Sequence, residues 1–371
     1  MPVEPLSRNK MQTTRRRMEL APLSPDSNLT TTNVRFVEKH LASRWTDLTD
    51  SETYESAGRR LRRVARSRGL EVVSERRVSL FFDGTTCIGG LTGLRPSISS
   101  VTAGQICASK SLTKELFHRA GIPTPEFRLL ERSNVQGAME YAESRGGDPV
   151  VVKPLDGSQG EGVTTGIRSP GALEAAWTRA QRTSRAGRIL IEDEVAGVDV
   201  RIAVVSGRAL AAAARIPPFV VGDGVSTLNQ LSSRLIAARS QHSYLSHLQF
   251  VPDGDYLSRA GVDQRTVIAA QRVQFLNGTA NLSRGGVHVD ITDTVPSEVL
   301  RLAETVAEAI PGLGYAGVDF LMPNVTSAVG ATVIEVNSSP NPLVHDLPVF
   351  GHSRGLCEAI VDEIIRRAHI N

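Results

Sequence analysis

Two acids and an amide near the C-terminal end of the chain carry the first chemical signal. Asp319 lies in the run GYAGVDFLMP, and Glu335 and Asn337 lie one residue apart in ATVIEVNSSP. Both runs read as strands. Side chains alternate along a strand, so Glu335 and Asn337 share a face. If the two strands are neighbours, Asp319, Glu335 and Asn337 converge as three oxygen ligands. Hard oxygen ligands with room left for phosphate oxygens suit Mg²⁺, which takes one or two carboxylates plus a nucleotide. The competing reading is two strand-end acids that face solvent, and these residues alone do not decide between the two.

A second cluster lies in DPVVVKPLDGSQGEG, residues 148–162. A buried strand delivers Lys153, and a loop follows with Gly157, Gly160 and Gly162. Glycines let backbone N–H groups approach phosphate oxygens, and a lysine neutralises their charge. The lysine precedes the glycines, so this is not a Walker A loop. Lys110 sits in the first turn of an expected helix over residues 109–121, capped by Ser109 and ended by Gly121, with Leu112, Leu116 and Phe117 as its buried stripe. A lysine there opposes the helix dipole unless an anion lies nearby. Residues 192–195 offer backbone groups for an adenine edge, and Asp199 is spaced to reach ribose hydroxyls. Arg201 and Arg215 are candidate anion clamps, since guanidinium pairs bidentately with carboxylate or phosphate. Each of these charges, taken singly, also reads as a solvated strand face or a surface lysine.

The elements that must position these groups need a sizeable chain. There are 371 residues, enough for two or three lobes, with 40% hydrophobic and 22% charged residues. A net charge of +3 makes no case for nucleic-acid binding. Three scattered cysteines match neither a disulfide framework nor a zinc pattern, which predicts a reducing compartment. No apolar run reaches membrane-spanning length, and the basic cluster Arg15 to Arg17 is followed by no apolar segment. The expectation is a soluble cytoplasmic protein with no nucleic-acid or membrane partner.

Four segments are expected. Residues 1–33 read as a disordered basic tail, 34–105 as a small α/β lobe, 106–192 as a subdomain with the glycine-rich loop, and 193–371 as a subdomain with the metal and substrate site. In the second of these, a helix near residues 54–69 precedes two β-like runs with a turn at Asp83-Gly84. Helices are expected over residues 170–182, 227–239, 297–310 and 353–368. Residues 240–278 show no clear pattern, and His242 and His247 are wrongly spaced for a helical metal pair.

In this order the motifs SKSLTKELFHRAGIPTP, VVVKPLDGSQGEGV, EDEVAGVDVRIAVV, RIPPFVVGDGVSTL, TANLSRGG, GVDF and IEVNSSP resemble the ATP-grasp superfamily of carboxylate–amine ligases. The resemblance covers about residues 70–368 and is nearest to the ATP-grasp domain of cyanophycin synthetases and of bifunctional glutathione-synthesising enzymes. It implies an α/β (α+β) ATP-grasp fold, with nucleotide held between two α+β subdomains. It also implies residue roles. Lys110 and Lys153 contact phosphates, and Gly157, Ser158, Gly160 and Gly162 belong to the loop over them. Glu192 and Val195 hold adenine, and Asp199 the ribose. Asp319, Glu335 and Asn337 bind one or two Mg²⁺, with Mn²⁺ as a substitute. Arg215 and Asn281 sit, with Lys153, at the γ-phosphate and acyl phosphate. Arg201 and Arg284 meet a substrate carboxylate, and Ser338 and Ser339 lie where the substrate is selected. The implied substrates are small amino acids or peptides, and the implied assembly is a homodimer.

The chain also departs from the family. Ser109 replaces the Asp that often precedes the first lysine, and Gly317 stands where D-alanine–D-alanine ligases have arginine, which argues against that activity. Pro218 and Phe219 replace smaller residues and are expected to reshape the acceptor pocket. The N-terminal region and Mur-ligase-like domain of cyanophycin synthetases have no counterpart in the sequence, so repeated polymerisation is not expected of it. The expected reaction is ATP-dependent amide or peptide bond formation through an acyl phosphate, in specialised peptide biosynthesis. The alternatives are a γ-glutamyl-type amino-acid ligase, a phosphotransferase that stops at phosphorylation, and a non-catalytic ATP-binding module.

Overall fold

A computed structural model describes residues 28–49, 53–156 and 161–370. Residues 1–27 of the expected tail, and Gly157, Ser158 and Gly160 of the glycine loop, lie outside the described residues. Helix α1 (Asn28–His40) starts inside the stretch read as tail. Phe36, Val37 and Leu41 explain it, because they join the apolar cluster of the large C-terminal sheet. That burial offsets the cost of ordering the helix, and it comes from partners far along the chain that no local window contains.

Helix α2 (Ala57–Ser67) buries Leu61 and Val64. Strands β1 (Glu71–Glu75), β2 (Val78–Asp83), β3 (Thr86–Thr92) and β4 (Arg95–Pro96) form an antiparallel meander. It turns at Asp83-Gly84 as expected, and also at Arg76, which takes a left-handed conformation with φ 52°. Helices α3 (Val101–Ala108) and α4 (Lys110–Arg119) follow. The Ser109 hydroxyl caps α4 by accepting from the Leu112 N–H at 3.4 Å. The expected stripe of α4 needs correction. Leu112 is 51% exposed, while Thr113 and Lys114 are buried beside Phe117. Polar groups explain the rotation: Lys114 donates to the Thr124 hydroxyl at 3.0 Å and the Pro125 carbonyl at 3.2 Å.

The middle sheet comprises β5 (Phe127–Glu131), β6 (Val150–Pro154), β7 (Thr164–Ile167) and β8 (Arg188–Asp193), in the antiparallel order β5-β8-β6-β7. Helices α5 (Val135–Ser144) and α6 (Pro170–Thr183) cover one face, packing Tyr141, Leu173 and Trp177 on Val150, Val152, Ile189 and Ile191. Alternation then sends Lys153 and Glu192 to the other face.

The large sheet has the antiparallel order β13-β10-β9-β14-β15. Its strands are β9 (Val198–Val205), β10 (Arg208–Ile216), β13 (Val287–Asp290), β14 (Tyr315–Met322) and β15 (Thr332–Asn337). β11 (Phe219–Val221) and β12 (Val273–Phe275) form a separate ribbon. Helix α7 (Leu228–Gln241) opens on a Thr227–Gln230 capping box. Helices α8 (Gly254–Arg259), α9 (Ser297–Glu308), α10 (Leu343–Asp346) and α11 (Leu356–Ala368) complete the chain. Val198, Val200, Ile202 and Val204 face the main core, while Asp199 and Arg201 point to the opposite face. Helix α11 turns back onto the first meander, so Ile360 and Ile364 share a core with Phe81 and Leu91. With every sheet antiparallel, the class is α+β.

Candidate active site

Register across the large sheet lines up a charged row. Asp319 lies opposite Glu335 on one side and Arg201 on the other, Arg215 lies opposite Asp199, and His288 lies opposite Arg215. Arg201 donates to both Asp319 oxygens, Nε to Oδ1 at 2.7 Å and Nη2 to Oδ2 at 2.6 Å. Arg215 donates to Asp199 Oδ1 at 2.5 and 2.9 Å and comes within 3.0 Å of Asp319 Oδ2. Asn337 Nδ2 donates to Glu335 Oε1 at 3.1 Å and lies 3.4 Å from Asp319 Oδ2. Burial alone pushes the Asp319 carboxyl up, but the two guanidiniums override it and hold it down at about 2. Glu335 is displaced the other way, raised first by burial and then by the Asp319 charge.

This asymmetry tests the fit of a metal. Among the described residues Glu335 forms no ion pair, yet it stands beside a second carboxylate, an arrangement that a divalent cation would relieve. Asn337 places its amide beside both acids. No group of three or more His, Cys, Asp and Glu side chains is arranged for a metal among the described residues. Two carboxylates form a partial ligand set, to which the Asn337 amide, here turned with its Nδ2 toward both acids, would add its oxygen on rotation; such a set fits Mg²⁺ completed by phosphate oxygens rather than an all-protein cage.

The middle sheet presents the complementary charge. Glu192 is buried and pairs with Lys153, and its Oε2 lies 3.1 Å from Lys114 Nζ. Burial pushes Glu192 up, but Lys153 and Lys114 reverse the shift and hold it below the usual carboxylate range. Lys110 Nζ donates to the Leu155 carbonyl at 3.2 Å. Burial lowers its pKa, against an opposing pull from Glu335 across the gap. Lys110 therefore sits where the fields of the two sheets meet.

No protein-family model matches the chain. It is 32% identical over 274 residues to a cyanophycin synthetase of Synechocystis sp., covering 72% of this chain and 31% of that protein. It is 27% identical over 281 residues to the glutathione biosynthesis bifunctional protein GshAB of Mannheimia succiniciproducens, covering 71% of this chain and 36% of the relative. The crystal structure of a bifunctional glutathione synthetase from Pasteurella multocida superposes with a TM-score of 0.63 at 22% identity, over 84% of this chain and 44% of that one. The chain belongs to the ATP-grasp superfamily. It spans about a third of the length of the curated relatives it matches.

Within this ATP-grasp chain, the remaining expected residues fall unevenly. Gly162 has φ 72°, and a Cβ there would lie 2.2 Å from the Thr183 hydroxyl, so its glycine has a local packing reason. Val195 is half-buried beyond β8, just after Glu194, whose N–H donates to the Pro149 carbonyl at 3.0 Å. Asn281 turns its Oδ1 onto its own loop, accepting from the Ser283 N–H at 3.2 Å and hydroxyl at 3.1 Å. The Arg284 side chain forms no ion pair among the described residues, and its loop is held by Arg239, which donates to the Gly285 carbonyl at 2.9 Å. Ser338 is buried and Ser339 exposed. A Cβ on Gly317 would lie 2.8 Å from Pro340 Cβ, so no larger side chain fits there. One expectation is corrected: Phe219 lies in β11, buried in the main core and edge-on to Phe275 at 6.4 Å, because the β11–β12 ribbon turns it inward. It packs the core rather than lining a pocket.

Sequence reasoning missed Lys114, although its spacing of four from Lys110 puts both on one helix face. It also missed His288 and His345. Both are buried, and His288 Nδ1 and His345 Nε2 have no partner among the described residues. Burial, then Arg201, pushes His345 down to about 3, and burial and Arg215 push His288 well below its ordinary range. Their folded pKa values lie below the unfolded value of about 6.5, so as pH falls the unfolded chain takes up protons first. Stability is full above pH ~6.5 and declines below it, by up to about 1.4 kcal/mol per pH unit per histidine. A thermal-melt series between pH 7.5 and 5 should show this fall, and His345→Gln should flatten it. An unchanged slope in that variant removes His345 from the account.

Proposed function

We propose that the chain is an ATP-dependent ligase that joins the carboxylate of an amino acid or peptide to an amine, releasing ADP and phosphate. The observation that carries this reading is the opposition of two charge sets: the Asp319–Glu335–Asn337 group with Arg215 on the large sheet, and Lys153 on the middle sheet, with Lys110 between them. Nucleotide lies between the two sheets in this reading. Asp319, Glu335 and the Asn337 amide oxygen hold one or two Mg²⁺, with Mn²⁺ as a substitute, and the ion neutralises charge on the phosphates when bound.

The chain's own residues do the rest. Lys110, Lys153 and Arg215 present fixed positive charge to the transferring phosphoryl group. Asp199 holds the Arg215 guanidinium in place, and Glu192 does the same for Lys153. The substrate carboxylate attacks the γ-phosphorus and displaces ADP, giving an acyl phosphate. An amine then attacks the acyl carbon, the C–O bond to phosphate breaks, and phosphate leaves with the proton the amine sheds. No protein nucleophile takes part.

The test is an ADP-release screen over pairs of acids and amines, with products read by mass spectrometry. ADP release that requires both partners, with an amide product, supports the ligase. A phosphorylated acid as the end product would make the protein a phosphotransferase. Nucleotide binding with no turnover on any pair would leave a binding module. An α-amide and a γ-glutamyl linkage are told apart by fragmentation of the same product.

A further inference from the structure

The N-terminal meander delivers an arginine to the site that no sequence motif announced. Arg95, on β4, is half-buried, and its Nη2 lies 3.5 Å from the Ser338 hydroxyl, a long contact. Among the described residues it forms no ion pair, and its Nε is buried with no partner. Two other arginines of the site are paired, Arg201 with Asp319 and Arg215 with Asp199. Ser338 directly follows Asn337, so the unpaired guanidinium stands against the segment that leaves the proposed metal ligands.

The surroundings are shaped for the guanidinium and, among the described residues, supply no counter-charge. A Cβ on Gly104 of α3 would fall 2.6 Å from Arg95 Cζ, so the missing side chain is what makes the berth. Cys107, one turn further along α3, is pushed up to about 11 by burial and stays a neutral thiol. A permanently charged, planar guanidinium, half-buried with its Nε enclosed and with no acid paired to it among the described residues, is the complement of a carboxylate that reaches its Nη end. The phosphates have their own cations elsewhere, in Lys110, Lys153 and Arg215.

We propose that Arg95 binds the free, non-reacting carboxylate of the amino-acid or peptide substrate, and so determines which substrates carry the right end group. The assignment to a substrate rests on the ligase reading; the anion site itself does not. Titration calorimetry on the full chain, saturated with a non-hydrolysable ATP analogue and Mg²⁺, tests it. The probes are the twenty common L-amino acids and glycylglycine, each against its C-terminal amide. At least one carboxylate should bind, its amide about 10-fold or more weaker. Arg95→Met should lower carboxylate affinity by about 10- to 100-fold and leave the amide and the nucleotide unchanged. Gly104→Ala keeps every charge and favours the helix, yet its methyl takes the place of the guanidinium, so it should give the same loss. Equal affinity for acid and amide, wild-type carboxylate affinity in both variants, a parallel loss of nucleotide affinity, or no carboxylate bound by the wild type would each overturn the proposal. Carboxylate binding that depends on Arg95 with no ADP release on any pair would instead overturn the ligase reading and leave this site standing.

Discussion

Glu335→Gln is expected to cut ADP formation by about 100-fold or more while the protein stays folded. Glutamine keeps the shape and the Asn337 contact but removes the charge a metal needs. The geometry predicts the accompanying stability change as well. Glu335 is held next to Asp319 with no cation of its own among the described residues, and its pKa is raised by burial and by that neighbour. Removing its charge relieves repulsion, so the melting temperature of the ligand-free variant should equal or exceed that of the wild type. The stabilisation given by MgATP should vanish at the same time. A variant that melts lower and still turns over near the wild-type rate would take Glu335 out of the metal site.

Glu192→Gln should have the largest effect on the fold. The wild-type carboxylate is shared by Lys153 and Lys114, both almost fully enclosed. Removing the acid leaves two cations buried without an anion, a situation that costs about 3–5 kcal/mol. On a chain of this size that is a drop in melting temperature on the order of 5–10 °C. Lys153 would also lose the partner that fixes its ammonium, so ATP affinity should fall even below the melting range. Lys114→Met separates the two contributions. It removes one cation and leaves Lys153 with Glu192 intact, so nucleotide affinity should survive while stability changes less. If Glu192→Gln melts like the wild type, the three-residue cluster is not what holds α4 to the middle sheet.

How much of this was legible beforehand depended on the range of the interaction involved. Asp319, Glu335 and Asn337 could be read because strand alternation fixes a face within a few residues, and an antiparallel pair then brings them together. The cap of α4 was legible for the same local reason, as Ser109 shows. Register was not legible: nothing in the sequence says that Arg201 stands opposite Asp319, so it was read as a substrate partner when its fork is engaged by the acid beside it. Arg95, His288 and His345 escaped notice because their company is assembled from distant segments. Leu112 and Phe219 went wrong in opposite directions. One lost its apolar face to a buried lysine, and the other was drawn into a core by a ribbon partner 56 positions away.

The last long helix has a consequence for how this protein is made. The meander of β1 to β4 leaves the ribosome early and shares its core with Leu61 and Val64 of α2, but Ile360 and Ile364 of α11 join Phe81 and Leu91 there only at the end of synthesis. The strands synthesised first therefore wait for part of their cover, with some apolar surface open to solvent or to a chaperone, until almost the whole described chain has been translated. Any premature stop upstream of α11 leaves that surface without the share of its cover that Ile360 and Ile364 supply.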